Sequence, residues 1–405
     1  MSKTRWKIIF DMCLNISASG APIAVLQLII YPYLASHISS EEYGLMITLY
    51  SLWIVISNSL GNVLNNIRLL RNTEYEKEGL KGDFPFLLRD FMIINFIVIF
   101  IGTVFYIKKF NIIYIVFSLI ISMLILLKAY CEVGFRIKLD YISILINGIL
   151  QCFGFVFGLI FFYFTRVWQF IFLFGFLLNT IFTILKTGML KESFVRTRIY
   201  KNVSKDAGIY TLATFSGNLM TYADKMVLYP LMGGHIVSIY YTATILGKII
   251  SMISGPVTGV ILSYISKWSN GQKKIFSKIL IVGVILAVIG YGITMVISYP
   301  VINILFPQWK DEVMIYLPIT TIAIAIQTLN SFLNPFILKF YDMKWQVIIG
   351  MASVAVYFVM ALILWNFYGM IGFCIGTVLG QLSKTLIMVF LHFVWSSREL
   401  KCVFF

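Results

Sequence analysis

Apolar runs of about twenty residues or more follow one another down nearly the whole chain, and the short breaks between them are alternately rich and poor in lysine and arginine. Inside a bilayer the backbone finds no water, so such a run is stable only as a helix that closes its own hydrogen bonds or as part of a closed barrel. The runs are too long for barrel strands and lack strict two-residue alternation. Twelve helices are predicted, at approximately 8–35, 43–66, 86–107, 110–130, 141–164, 167–187, 207–232, 236–266, 278–299, 312–338, 344–366 and 369–395. Groups of basic residues at 3–7, 68–89, 128–138, 186–205, 267–278, 339–344 and 398–401 hold 25 of the 32 lysines and arginines, while the alternate breaks hold only Lys108, Lys109, Arg166 and Lys310. Cytoplasmic loops of membrane proteins collect basic residues, so the pattern predicts a multi-pass membrane protein with both termini in the cytoplasm.

Composition agrees, with 60% of residues hydrophobic and only 12% charged, about half the charged share of a soluble domain. The net charge of +15 would suggest nucleic acid in a soluble protein. Here the positive-inside bias and anionic headgroups account for it, and no basic stripe interleaved with exposed aromatics is present. No nucleic-acid partner is predicted. Cys13, Cys131, Cys152, Cys374 and Cys402 show no paired spacing, and His37, His235 and His392 are dispersed, so neither a disulfide framework nor a metal site is predicted. The basic start and short apolar run at the N-terminus resemble a secretory signal, but Asp11 interrupts the run and hydrophobic sequence resumes through Leu34. An uncleaved first span is predicted.

The longest basic break, at 191–206, divides the predicted helices six and six, giving an N-terminal lobe 1–190 and a C-terminal lobe 207–405. The turn YPYLASHISSEEYGLMITLYSLW (31–53) between spans 1 and 2 is matched by YPLMGGHIVSIYYTATILGKI (229–249) between spans 7 and 8. Each has Tyr-Pro at the end of a span, a short turn of polar or small residues, and an apolar, Tyr-containing restart. A two-lobed transporter built from a repeat is the reading that follows.

An ionisable side chain at membrane depth costs a few kcal/mol or more and ordinarily faces a cavity or a partner. Asp224 and Lys225 lie about eight residues from the outer end of span 7, ~12 Å at helical rise, and Lys248 lies about twelve residues into span 8, ~18 Å. The lysines suit an anionic substrate group. Asp224 suits a proton or cation site, the lysines' counter-ion, or a purely structural salt bridge to Lys248. Lys384 in span 12 can snorkel toward its cytoplasmic end, and Asp11 lies near the cytoplasmic interface. Asn15, Gln27 and Asn58 suit either a cavity wall or bridges between helices. No G-x-S-x-G, H-E-x-x-H, Walker A or dinucleotide fingerprint occurs, so neither an enzyme nor a cofactor is predicted, and ion coupling is simpler than ATP-driven transport.

ASHISSEEYGLMITLYSLW resembles the span 1–2 turn of polysaccharide flippases, ADKMVLYPLMGGHIVSIYYTATILGKIISMISGPV resembles their span 7–8 signature, and GMIGFCIGTVLGQL (369–382) resembles their glycine-rich span 12. The chain is thereby similar to Wzx-type O-antigen flippases of the multidrug/oligosaccharidyl-lipid/polysaccharide exporter superfamily. The resemblance implies two six-helix lobes around a central cavity lined by spans 1, 2, 7 and 8, in the bacterial inner membrane. The implied substrate is an undecaprenyl-pyrophosphate-linked oligosaccharide, moved by alternating access with H+ or Na+ as coupling ion. Polymerase and chain-length proteins of the same pathway are implied partners. Lys225 and Lys248 match positions where such proteins carry basic residues facing that cavity, and Asp224 matches the span 7 acid. Lys384 as a further substrate-binding residue and Asp11 as a further coupling acid or counter-ion are read from their places in spans 12 and 1. The chain departs from the pattern in having Lys where Arg is common in span 7 and no central basic residue in spans 1 and 2. A multidrug exporter of the same superfamily should have an acid-rich cavity, whereas lysines here equal or outnumber acids. An O-antigen polymerase should have a large outer loop, whereas every outer break here is short. A membrane acyltransferase should have a placed His or acid pair, which the sequence lacks.

Overall fold

The computed structural model describes residues 2–107, 110–251, 258, 273–341 and 343–395 and is helical almost throughout. The basic residues Lys108, Lys109, Lys267, Arg398 and Lys401 and the predicted mid-span Pro256 lie outside the described residues, and for Asp11 only the helix is described. Among the described residues, nine helical stretches are long and apolar enough to cross a membrane. The chain is a multi-pass membrane protein.

Helix α1 (Ser2–Val25) passes through a π-helical turn, Leu26–Ile30, into α2 (Tyr31–His37). A second run is built the same way: α3 (Ser40–Trp53), a π turn at Ile54–Asn58, then α4 (Ser59–Glu78). It outlasts the predicted 43–66 because NNIRLLRNTEYEKE, though polar, carries no Gly or Pro until Gly79, whose φ of 64° ends the helix. Next come α5 (Phe84–Tyr106), α6 (Ile112–Cys131), α7 (Val133–Lys138), α8 (Tyr141–Thr165) and α9 (Gln169–Thr187), all within a few residues of the predicted spans except the short α7, which falls in a predicted break. Then follow α10 (Tyr200–Ser251), α11 (Lys273–Leu305), α12 (Lys310–Phe340) and α13 (Met343–Phe390). The predicted breaks at 232–236 and 366–369 appear as single glycines inside α10 and α13: Gly233 at φ 82° and Gly369 at φ 57°. Both values lie where an L side chain is strained, so glycine sets the position of each bend.

The chain forms two compact units, Met1–Ser238 and Ile239–Phe405. Within the first, polar side chains bridge helices at buried positions, the usual glue where lipid supplies no hydrophobic drive. Ser57 donates to Asn95 at 2.7 Å, Asn95 to Ser122 at 3.2 Å, and Asn65 to the Ala129 carbonyl at 2.7 Å. The connector after α9 is tied to the α4–α5 break. Arg68 pairs with Glu192, Arg71 with Asp206 at 2.6 Å and Arg198 with Glu78 at 2.9 Å. The buried Asp83 carboxylate accepts from Tyr75 at 2.6 Å and from the Thr197 amide at 2.7 Å. Arg68 and Arg71 therefore do more than meet headgroups: they hold the connector in place. Burial pushes the Glu192 carboxyl up, against the opposing pull of the Arg68 guanidinium.

The second unit has a core of Phe276, Leu333, Phe336, Ile337, Met388 and Leu391. Asn330 donates to the Gln381 carbonyl at 3.0 Å and accepts from Thr385 at 2.7 Å. The glycine-rich 369–382 stretch packs back on the preceding half of α13, where Gly376 abuts Ala361 and Gly380 abuts Tyr357.

Asp140 caps α8, accepting from the Ser143 amide at 3.0 Å and its hydroxyl at 2.7 Å, and these bonds hold its carboxyl below the usual carboxylate range. A carboxylate depressed on folding stabilises the fold above its unfolded value, near pH 3.9, and loses that contribution as pH falls through the folded value. Asp140→Ala is accordingly expected to cost about 1 kcal/mol at neutral pH. In thermal unfolding in detergent, the gap between wild type and variant should close under acid conditions. A gap of equal size at both pH values would show that the charge contributes nothing.

Candidate functional site

The ionisable pair in α10 is built by a helix that is apolar on either side of it. Lys225 is fully buried and Asp224 is 9% exposed. Adjacent residues leave a helix about 100° apart, but the long lysine stem folds back. Lys225 Nζ pairs with Asp224 Oδ1 and donates to the Thr221 carbonyl at 3.2 Å. The same carboxylate oxygen accepts the Lys225 amide at 3.0 Å, and the ammonium lies 5.8 Å from the centre of the Tyr222 ring. Asp224 and Lys225 thus form an ion pair within one helix. This part of α10 is fastened to earlier helices of the first unit. Asn218 donates to Ser59 at 2.6 Å, Tyr106 donates to the Met226 carbonyl at 2.9 Å, and the Tyr106 and Tyr229 rings meet edge to face at 5.9 Å.

Beyond Gly233 the helix restarts, and its first free amides are met by an acid that sequence reasoning passed over. Glu41 Oε2 accepts from the amides of Gly234 at 2.8 Å and His235 at 3.1 Å. Ser238 donates to the Ser40 carbonyl at 2.6 Å. Glu41 itself stands in the first turn of α3, while Tyr114 donates to its neighbour Glu42 at 3.0 Å. Two helix starts therefore meet with a carboxylate serving both, since negative charge is favourable at each N-terminus. These are the two turns matched in sequence as a repeat. Their similarity was visible in the Tyr-Pro and glycine signals, but their contact was not. Glu41→Ala is expected to lower stability by about 1.5–3 kcal/mol through the loss of charge-assisted bonds. Glu41→Gln, which keeps an acceptor, should recover part of that. Equal thermal midpoints for all three proteins would dismiss the contact.

Lys248, in the second unit, is half-buried with its ammonium 5.5 Å from the Tyr241 ring. Lys384 is half-buried on α13, between Gln381 and Thr385, and forms no ion pair among the described residues. Gln27 lies in the first π turn and is buried, with no hydrogen-bond partner for its Oε1 among the described residues. Asn58 ends the second π turn, and Asn15 is exposed. Wide turns of this type recur at functional sites. Among the described residues no group of His, Cys, Asp and Glu could hold a metal ion.

No family model matches the sequence, and neither does any curated protein. Solved structures do match. The lipid II flippase MurJ, in an inward closed conformation, is 13% identical with a TM-score of 0.72, over 96% of this chain and 87% of that one. An inward-facing multidrug resistance MATE family transporter of the MOP superfamily is 12% identical with a TM-score of 0.65, over 96% and 94%. The fold is that of the MOP-superfamily transporters. A further member, from Pyrococcus furiosus, has a binding pocket of reverse polarity that suggests a different function for it; it is 13% identical with a TM-score of 0.67, over 94% of each chain. Nine candidate spans lie among the described residues, where the sequence predicts twelve over the whole chain.

Proposed function

We propose that the protein is a flippase for an undecaprenyl-pyrophosphate-linked oligosaccharide, working by ion-coupled alternating access in the bacterial inner membrane with both termini in the cytoplasm. In this reading residues 1–190 and 207–405 are the two lobes and 191–206 their cytoplasmic connector. The observation that carries it is the fully buried Lys225 ammonium with its Asp224 carboxylate in an otherwise apolar helix. A pyrophosphate entering an intramembrane site needs ammonium groups to replace its water, and Lys225, Lys248 and Lys384 would supply them. Asp224 would release Lys225 on taking up a proton or Na+, which couples the ion to the charge that the substrate meets. Asp11 would be a second ion site. Glycine bends such as Gly233 let helices rock while the site stays assembled.

A multidrug exporter is the second reading, favoured by the Asp224–Lys225 pairing itself, which leaves that site without net positive charge. One experiment separates them. Removal of the gene from its host should leave lipid-linked repeat units on the cytoplasmic face of the membrane, with drug sensitivity unchanged. Normal surface polysaccharide in a host with no second flippase would overturn the proposal, and new drug sensitivity would favour the exporter.

A further inference from the structure

A cavity of about 500 Å³ opens at the N-terminal end of α5, away from the ionisable pair. Met92 and Phe96 of α5, Met123 and Tyr130 of α6, and Leu190 and Phe194 of the connector line it. Its size falls within the roughly 300–1,000 Å³ of small-molecule sites. Its wall is apolar apart from the rim. Leu190 and Phe194 are exposed although the connector is polar in composition, and Ile93 and Phe96 are about half exposed on the helix below. An apolar hollow of this kind takes a hydrocarbon better than water.

The rim carries the opposite chemistry. Arg89, itself a lining residue, holds its guanidinium 5.4 Å from the centre of the Phe86 ring, and Arg196 lies 5.0 Å from the same ring and 4.9 Å from Tyr200. Phe194 meets Phe86 edge to face at 5.3 Å. One aromatic platform thus presents two exposed guanidinium groups beside the mouth of a hydrocarbon-lined cavity. Asp90, paired with Arg89 at 2.7 Å, offsets part of this charge. Stacked arginines keep their planar donors available to phosphate oxygens.

We propose that this cavity is a binding site for an anionic phospholipid, which lays an acyl chain against Met92, Met123 and Leu190 and its phosphate against Arg89 and Arg196. The site is independent of the transport reading, since it needs only an anionic leaflet at the basic end of α5. Bound there, the lipid would tie the connector to α5 and α6, beside the Arg68–Glu192 and Asp83–Thr197 links that already hold it.

The test is native mass spectrometry of the delipidated full-length protein titrated with phosphatidylglycerol or phosphatidylcholine. Wild type should retain one phosphatidylglycerol well above its retention of phosphatidylcholine. Arg89→Gln with Arg196→Gln, both exposed side chains, should lower that retention by about tenfold or more, as the loss of two near-surface cationic contacts implies. Met92→Trp, which fills the cavity, should lower it with either headgroup. Equal retention of both lipids by wild type, unchanged retention in the arginine variant, or preferential capture of a polyprenyl phosphate over phosphatidylglycerol would each overturn the assignment.

Discussion

Asp224→Ala is expected to deplete the protein from the membrane, whereas Asp224→Asn combined with Lys225→Met should leave it there at near wild-type abundance but inactive. The single change removes the carboxylate lying against an ammonium that has no exposed surface. Breaking a buried ion pair from one side costs about 3–5 kcal/mol, a large share of the ~5–15 kcal/mol that holds a domain folded. Replacing both partners by neutral groups of similar volume removes the charge and the need to compensate it, so the fold survives. Abundance in membranes and the thermal midpoint in detergent measure the first effect. Movement of lipid-linked repeat units, in a host lacking its own copy, measures the second. An abundant and fully active double variant would reduce the pair to a packing device and sink the transport role of both residues. A depleted double variant would place its contribution in local packing instead of charge.

What could be read from the sequence followed the physics of burial in lipid. A helix in hydrocarbon must be apolar over its length, so Phe84–Tyr106, Tyr141–Thr165 and Gln169–Thr187 lie within two residues of their predicted spans. The interruption near 230 was legible too, in Pro230 and the Gly233–Gly234 pair. Pro230 stays inside the helix, while Gly233 supplies the positive φ, a conformation that strains any residue with a Cβ. The extension of α4 to Glu78 was missed because apolar periodicity stops at the membrane face, whereas helix propensity does not. Within the site, Asp224 and Lys225 stood out by charge alone. Glu41 did not, since an acid in a polar turn carries no anomaly, and its use as a cap for Gly234 and His235 depends on a contact nearly two hundred positions away. The Arg68–Glu192 and Arg71–Asp206 links were hidden in the same way, behind a charge bias that already had an explanation.

A close backbone approach between the two matched turns yields the other large effect. A Cβ on Gly44 would fall on the Gly234 carbonyl, and a Cβ on Gly234 would fall on the Glu41 carbonyl. Neither obstacle is a side chain that can rotate away, so relief requires α3 and the restarted half of α10 to move apart. Overpacking of well-packed sites costs about 1–3 kcal/mol, and obstruction by backbone puts Gly44→Ala and Gly234→Ala at or above the upper end. Gly217→Ala supplies the contrast: it lies earlier in α10 with nothing within 4 Å, and alanine there gains up to ~1 kcal/mol in helix propensity. Thermal unfolding in detergent should rank the three with Gly217→Ala at or above wild type and the other two far below. Separation of the two helices would also draw Glu41 off the amides of Gly234 and His235, so Gly44→Ala and Glu41→Ala should combine to less than the sum of their separate losses. Additive losses would mean that the glycine contact and the carboxylate cap act as separate features, and that the two matched turns do not behave as one joint.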